Sequence, residues 1–231
     1  MISIAISTRN RPNEFWKVIK EIEEHTHCEY QLIVVDDASE PNYFKANYKF
    51  EERSGIPAAK NKCLELSKYD HIFLFDDDTY PISDDWWKPY LESGKNHLCY
   101  TFLPKYKVKD GFTYHTLGNG CMMYFTRKCL DVVGGFDWRF GLGKYEHANL
   151  SRRIFNAGLT EAPFMDVVGS EKLLYCLDQQ KGHKRSFTRE EMRQLFNLGA
   201  AHFRKSLNSK EYINFNKNEL YIHRGQVGRP H

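Results

Sequence analysis

The chain has 231 residues, 41% of them hydrophobic and 15% aromatic, enough for a full hydrophobic core and for one domain rather than two. Its longest apolar runs, residues 31–35 and 71–75, stop after about five residues against the roughly 20 that span a bilayer, so no membrane insertion is expected. The net charge of +3 divides unevenly: 11 Lys and Arg face 4 Asp and Glu from Lys181 onward, and 22 face 26 before it. A basic C-terminal part suits a solvated helical face or an anionic partner such as DNA or lipid phosphate.

The first residues, MISIAISTRNRP, lack the basic region of a secretory signal, and the six cysteines show no CxxC spacing, so a reduced, cytoplasmic setting is expected. ISIAIS reads as a first strand. Phe15, Ile19, Ile22 and Thr26 then recur at helical spacing behind Pro12. QLIVVD is a second strand, NYKFEE contains a short one, and Gly55 and Pro57 open a helix with Ala59, Cys63 and Leu66 on one face.

HIFLF is a central strand, and Ser83 followed by Asp84 and Asp85 predicts the cap of the next helix. HLCYTFL and CMMYFT read as further strands around an Asp110-Gly111 turn. A helix follows from about Tyr145 to Ala157, stopped by Gly158. Thr188 and Glu191 form a capping box ahead of a long helix carrying Met192, Leu195, Phe196 and Phe203. Strands alternating with helices predict an α/β architecture. The boundaries expected are one domain over residues 1–208 and a basic extension over 209–231.

Open α/β sheets bind ligands beyond the carboxyl ends of their strands. Three strands end there on Ser7 to Arg11, on Asp36 and Asp37, and on Asp76, Asp77 and Asp78. Three adjacent carboxylates repel unless a positive charge joins them. Mg²⁺ or Mn²⁺ held by one or two carboxylates plus substrate phosphates supplies it.

The ordered set ISIAISTRNRP, LIVVDDAS, GIPAAKNKCLELSKYDHIFLFDDDTYP and GGFDWRFGLGKYEHANLSRRIFNAG resembles the family-2 nucleotide-sugar glycosyltransferases over about residues 2–165. That resemblance implies a single GT-A (Rossmann-like) domain with a mixed, mainly parallel sheet flanked by helices. It also implies metal-dependent sugar transfer from a nucleotide-sugar donor, of UDP type, to a hydroxyl acceptor, with Mn²⁺ or Mg²⁺ as cofactor.

By the same resemblance Thr8, Arg9 and Arg11 line the nucleotide pocket, and Asp36 or Asp37 holds the nucleobase or ribose. Lys60 stands near the nucleotide where the family usually has Arg. Asp76 to Asp78 match the DxD motif, with Asp76 and Asp77 toward the nucleotide, Asp78 on the metal and Asp76 beside it. His183 is a candidate further metal ligand, with Lys184 and Arg185 toward the diphosphate.

Where the family has GEDxxLxxR, this chain has KYEHANLSRR, so Glu146 keeps its position while His147 replaces the Asp that deprotonates the acceptor. Either Glu146 or His147 can serve as base. An inverting outcome follows if one does, whereas a retaining enzyme needs no such base. Gly118, Asn119 and Gly120 are expected on the acceptor side, and Trp86, Trp87 and Trp138 are candidate sugar-stacking rings or core residues. The acceptor classes open are a glycan, a lipid carrier, a protein and a hydroxylated DNA base. A nucleotide-sugar-binding module with impaired catalysis and a nucleotidyltransferase are the alternatives, the latter opposed by the absence of glycine in STRNRPNEF.

Overall fold

Strands such as ISIAIS and HIFLF, whose interior positions hold only apolar residues and the small Ser3, must be covered on both faces. The structure, a computed structural model that describes residues 1–180 and 188–215, covers them so. In chain order it contains β1 (Ile2–Thr8), α1 (Pro12–His25), β2 (Tyr30–Asp36), β3 (Tyr48–Lys49), α2 (Ile56–Leu66), β4 (His71–Asp76), β5 (Thr79–Pro81) and α3 (Lys88–Glu92). β6 (His97–Tyr100), β7 (Lys105–Lys109), β8 (Phe112–His115), β9 (Met122–Thr126) and α4 (Arg127–Val133) follow. The described chain closes with α5 (Glu146–Asn156), β10 (Met165–Val167), β11 (Leu174–Cys176) and α6 (Arg189–Lys205).

The central sheet has the order β3-β2-β1-β4-β9-β6, parallel from β3 to β4 and antiparallel at β9 and β6. Alternate side chains divide between two cores. Ile4, Ile6, Phe73 and Phe75 pack against Phe15, Val18 and Ile22 of α1 and against Trp86 and Tyr90. Ala5, Ile72 and Leu74 pack on the other side against Ala59 and Cys63 of α2, Leu130 of α4 and Leu150 and Ile154 of α5. All six cysteines are free, and five of them are buried.

Between β6 and β9 the chain leaves the central sheet as the β7–β8 hairpin, turning at Asp110 and Gly111 and pairing with β10. β5 pairs with β11, which brings the chain after Cys176 beside the aspartates. The helix expected at Ser83 begins later. Asp85 takes a φ of 57°, Ser83 Oγ donates to the Asp84 carbonyl, and α3 starts at Lys88 without a side-chain cap.

The capping box at Thr188 and Glu191 does form, with Glu191 N–H donating to Thr188 Oγ1 and Thr188 N–H to Glu191 Oε2. α6 lies largely exposed, and Gly199 is its buried residue among those described. Residues 211–215 run back along the domain: Arg153 donates to the Glu211 carbonyl, and Ile213 bridges to Gly134.

Candidate active site

β1 pairs with β2 on one side and β4 on the other, so the strand order reverses around β1 and the loops beyond β1 and β4 diverge to leave a crevice. Register places Thr8 opposite Asp36 and Ser7 opposite Asp76. A cavity of about 160 Å³ opens at this edge, lined by Thr8, Arg9, Arg11, Asp37 and all three aspartates of the DDD stretch.

The counter-charges in the aspartate cluster are side chains. One Arg11 nitrogen (Nη1) lies 2.6 Å from Asp77 Oδ1 and 2.9 Å from Asp78 Oδ2. Lys60 Nζ lies 2.8 Å from Asp76 Oδ1. Burial opposes both cations, but Asp77 and Asp78 raise the Arg11 pKa above its ordinary value, and Asp76 and Glu146 do the same for Lys60. Thr8 Oγ1 donates to the second Asp77 oxygen at 2.7 Å, so Asp77 is fully engaged inside the protein. Asp76, whose side chain is 35% exposed, keeps its other oxygen outside that pairing.

Asp36 and Asp37, left as alternatives by sequence, have different surroundings. Asp36 is fully buried, accepts from the backbone and hydroxyl of Ser39, and lies away from the cavity wall. Asp37 lines the cavity and accepts from the backbone N–H groups of Ser54 and Gly55 at the start of α2. Gly55 sits at φ 90°, and a Cβ there would lie 2.4 Å from the Gly141 carbonyl oxygen. Only glycine lets the α2 entry lie against that loop.

A second cavity, about 110 Å³, adjoins the first and is lined by Phe102, Asn119, Glu146 and His147 among others. Glu146 opens α5 and is 3% exposed. Its Oε1 lies 3.4 Å from His147 Nδ1 and 3.8 Å from Lys60 Nζ, while Oε2 has no hydrogen-bond partner among the described residues. Burial pushes its pKa upward, but the His147 contact and the Lys60 charge outweigh it, so the carboxyl stays well below its usual range and is ionised.

His147 Nε2 donates to the Gly118 carbonyl at 3.0 Å. A Cβ on Gly120 would lie 2.4 Å from the imidazole ring, so Gly118 and Gly120 serve here to seat His147. Asn119 lines the cavity and accepts from Thr101 Oγ1 and the Phe102 N–H. Lys60 Nζ also approaches the Gly120 carbonyl, at 3.4 Å.

Of the three candidate tryptophans, Trp86 is a core residue. It is packed edge-on between Phe73 and Phe75, and its Nε1 donates to Thr26. Trp87 packs against the same core, and Trp138, half-buried in the 3-10 turn Trp138–Phe140, lines neither cavity. The expectation for His183, Lys184 and Arg185 lies outside the described residues.

Sequence reading missed Tyr43, Arg53, Lys144, Asp178 and Met192. Tyr43 OH meets Thr8 Oγ1 and the Arg11 N–H, and the other four line the first cavity. Tyr43, Arg53 and Asp178 carry no local motif; Lys144 opens the KYEHANLSRR stretch and Met192 follows the capping box, but nothing in either pattern places those side chains at the cleft. Among the described residues no three His, Cys, Asp or Glu side chains form a ready-made metal site.

A family model described as glycosyl transferase family 2 matches residues 3–128. No curated protein sequence matches the chain. Among solved structures, a mannosyltransferase from Pyrobaculum calidifontis, PcManGT, in complex with GDP-Man and Mn²⁺, superposes with a TM-score of 0.63 at 15% identity, covering 95% of this chain and 68% of that one. S. aureus TarS 1-349 in complex with UDP-GlcNAc gives 0.60 at 14% identity, covering 90% and 68%. At such identities the likeness carries the fold, and both neighbours have the GT-A fold.

Proposed function

The chain belongs to glycosyl transferase family 2, and from that premise we propose that it moves a sugar from a nucleoside-diphosphate donor, of UDP type, to a hydroxyl acceptor with inversion at the anomeric carbon. The observation that carries this reading is the shared wall between the two cavities: Asp76 and Asp78 line both, with Arg9, Arg11 and Asp37 on one side and Glu146 and His147 on the other.

The donor occupies the first cavity, its nucleoside toward Asp37 and its diphosphate toward the aspartates. The carboxylate donors fit a hard divalent ion, because Asp76 has an oxygen outside its lysine pair and Asp78 faces both cavities. Asp78 with Asp76 would hold Mn²⁺ or Mg²⁺, which when bound neutralises charge on the departing diphosphate. Arg11 fixes Asp77 and Asp78, and Thr8 fixes Asp77.

Glu146 is the general base. It is ionised and lines the second cavity, and its buried Oε2 has no hydrogen-bond partner among the described residues. His147, its Nε2–H held by Gly118, stands beside that carboxylate with Nδ1 3.4 Å from Oε1. The acceptor is a glycan, a lipid carrier, a protein or a hydroxylated DNA base, and steep loss of its binding with added salt would mark the nucleic acid.

Transfer or donor hydrolysis assayed across nucleotide sugars, with and without Mn²⁺, tests the reading. Glu146→Gln is expected to lower kcat by about 10²–10⁴-fold with donor KM little changed, the range for losing a general base. Full activity in Glu146→Gln with none in His147→Ala would move the base to His147. Donor binding without any turnover would mark a binding module.

A further inference from the structure

Five described residues line both cavities: Ile56, Asp76, Asp78, Lys144 and Asp178. In the reading above, the bond that breaks lies where these cavities meet. Charge grows there on the departing nucleotide, yet three of the five are carboxylates. Lys144 is the cation among them.

Its placement is held from several sides. Lys144 and Tyr145 adopt φ values of 75° and 68°, two successive non-glycine residues in the left-handed region immediately before α5. Such a conformation costs free energy and persists only where surrounding contacts determine it. α6 supplies those contacts. Gly199 lies so close that a Cβ there would be 2.5 Å from the Lys144 carbonyl oxygen, and Tyr145 stacks on Phe203 at 5.5 Å between ring centres. The Lys144 Nζ stands 5.5 Å from the centre of the Phe196 ring. The chain thus spends backbone strain and a helix to set one ammonium at the junction.

We propose that Lys144 is a catalytic residue whose ammonium binds the donor diphosphate and stabilises the negative charge that develops on it as the glycosidic bond to the leaving phosphate breaks. An ammonium preplaced beside developing charge lowers the barrier without reorganising at the moment of reaction. This rests on the glycosyltransfer reading. It adds a protein-borne charge, supplied by the loop before α5, to the carboxylate-held ion.

Calorimetric titration with UDP, GDP, ADP, CDP and dTDP in MnCl₂, each against its parent nucleoside, separates the two claims. For the diphosphate that wild type binds, Lys144→Met, which keeps a flexible aliphatic chain but no charge, is expected to bind about tenfold more weakly, as for loss of one charge-assisted contact. Affinity for the nucleoside should stay unchanged. Lys144→Arg should recover most of the diphosphate affinity, and kcat should follow the same order.

Lys144→Asn, which tolerates left-handed backbone better, removes the charge while easing the fold, and melting temperatures identify any variant that is merely unfolded. Diphosphate affinity and kcat equal to wild type in a folded neutral variant overturn the role of Lys144 and leave the transferase reading standing. A wild type that binds none of the diphosphates overturns both.

Discussion

Lys60 carries its charge to a place where 2% of its side chain meets solvent, and it does so because two carboxylates wait there, Asp76 at 2.8 Å and Glu146 at 3.8 Å. One ammonium thereby links the proposed donor side to the proposed base. Its identity as lysine, where family-2 sequences usually carry arginine, suits a compact charge placed between two oxygens and the Gly120 carbonyl. His97 is the reverse case, a buried imidazole with no charged partner among the described residues. Its Nδ1 contacts the Tyr124 carbonyl and its Nε2 Ser151 Oγ, and burial lowers its pKa from 6.5 to about 4. Because the unfolded chain takes up this proton first, stability present above pH 6.5 drains away as the pH falls toward 4, by up to about 3 kcal/mol. Urea denaturation of His97→Gln across pH 4–7 is expected to lack that share of the acid loss. An unchanged pH slope would refute it.

At the scale of elements, α6 acts through a residue that has no side chain. Its buried position is Gly199, seated on the Lys144 carbonyl, and its aromatic residues grip Tyr145 rather than the central cores. Alanine stabilises a free helix by about 1 kcal/mol over glycine. Here Gly199→Ala is expected to lower the melting temperature, because the added methyl meets backbone and the helix must lift away. It should also weaken donor-diphosphate binding by releasing Lys144. A raised melting temperature would show that α6 does not bear on that loop. The capping box and the run of α6 are plain in the sequence, since they depend on neighbours three and four residues apart. The role of Gly199 is not, since its partner lies 55 residues earlier and a glycine within a helix pattern reads only as a weak point. Ser83 misled for a similar reason: its cap signal is local, while the chain there is turned by the burial of Trp86 between Phe73 and Phe75.

For the whole molecule, the proposed donor cleft draws its walls from the ends of β1 and β4, the loops after β2 and β3, the start of α2 and the near end of α6. A ligand filling it ties these elements together, so at 100 times its dissociation constant a nucleoside diphosphate with Mn²⁺ should raise the melting temperature by about 5–10 °C. Asp78→Ala is expected to keep the fold and lose the Mn²⁺-dependent part of that rise. No helix among the described residues is long and apolar enough to cross a membrane. The amino-acid order by itself determined the α/β class, the strands of the central sheet, the polar strand ends and the family, because these reside in short-range periodicity and in motifs a few residues long. Only the tertiary structure decided that Arg11 and Lys60 pair with the aspartates, that Asp37 rather than Asp36 faces the cleft, and that Lys144 and Asp178 stand where the two cavities join. Those facts depend on pairings between residues tens of positions apart, and a linear pattern carries no record of which distant charges the chain brings together.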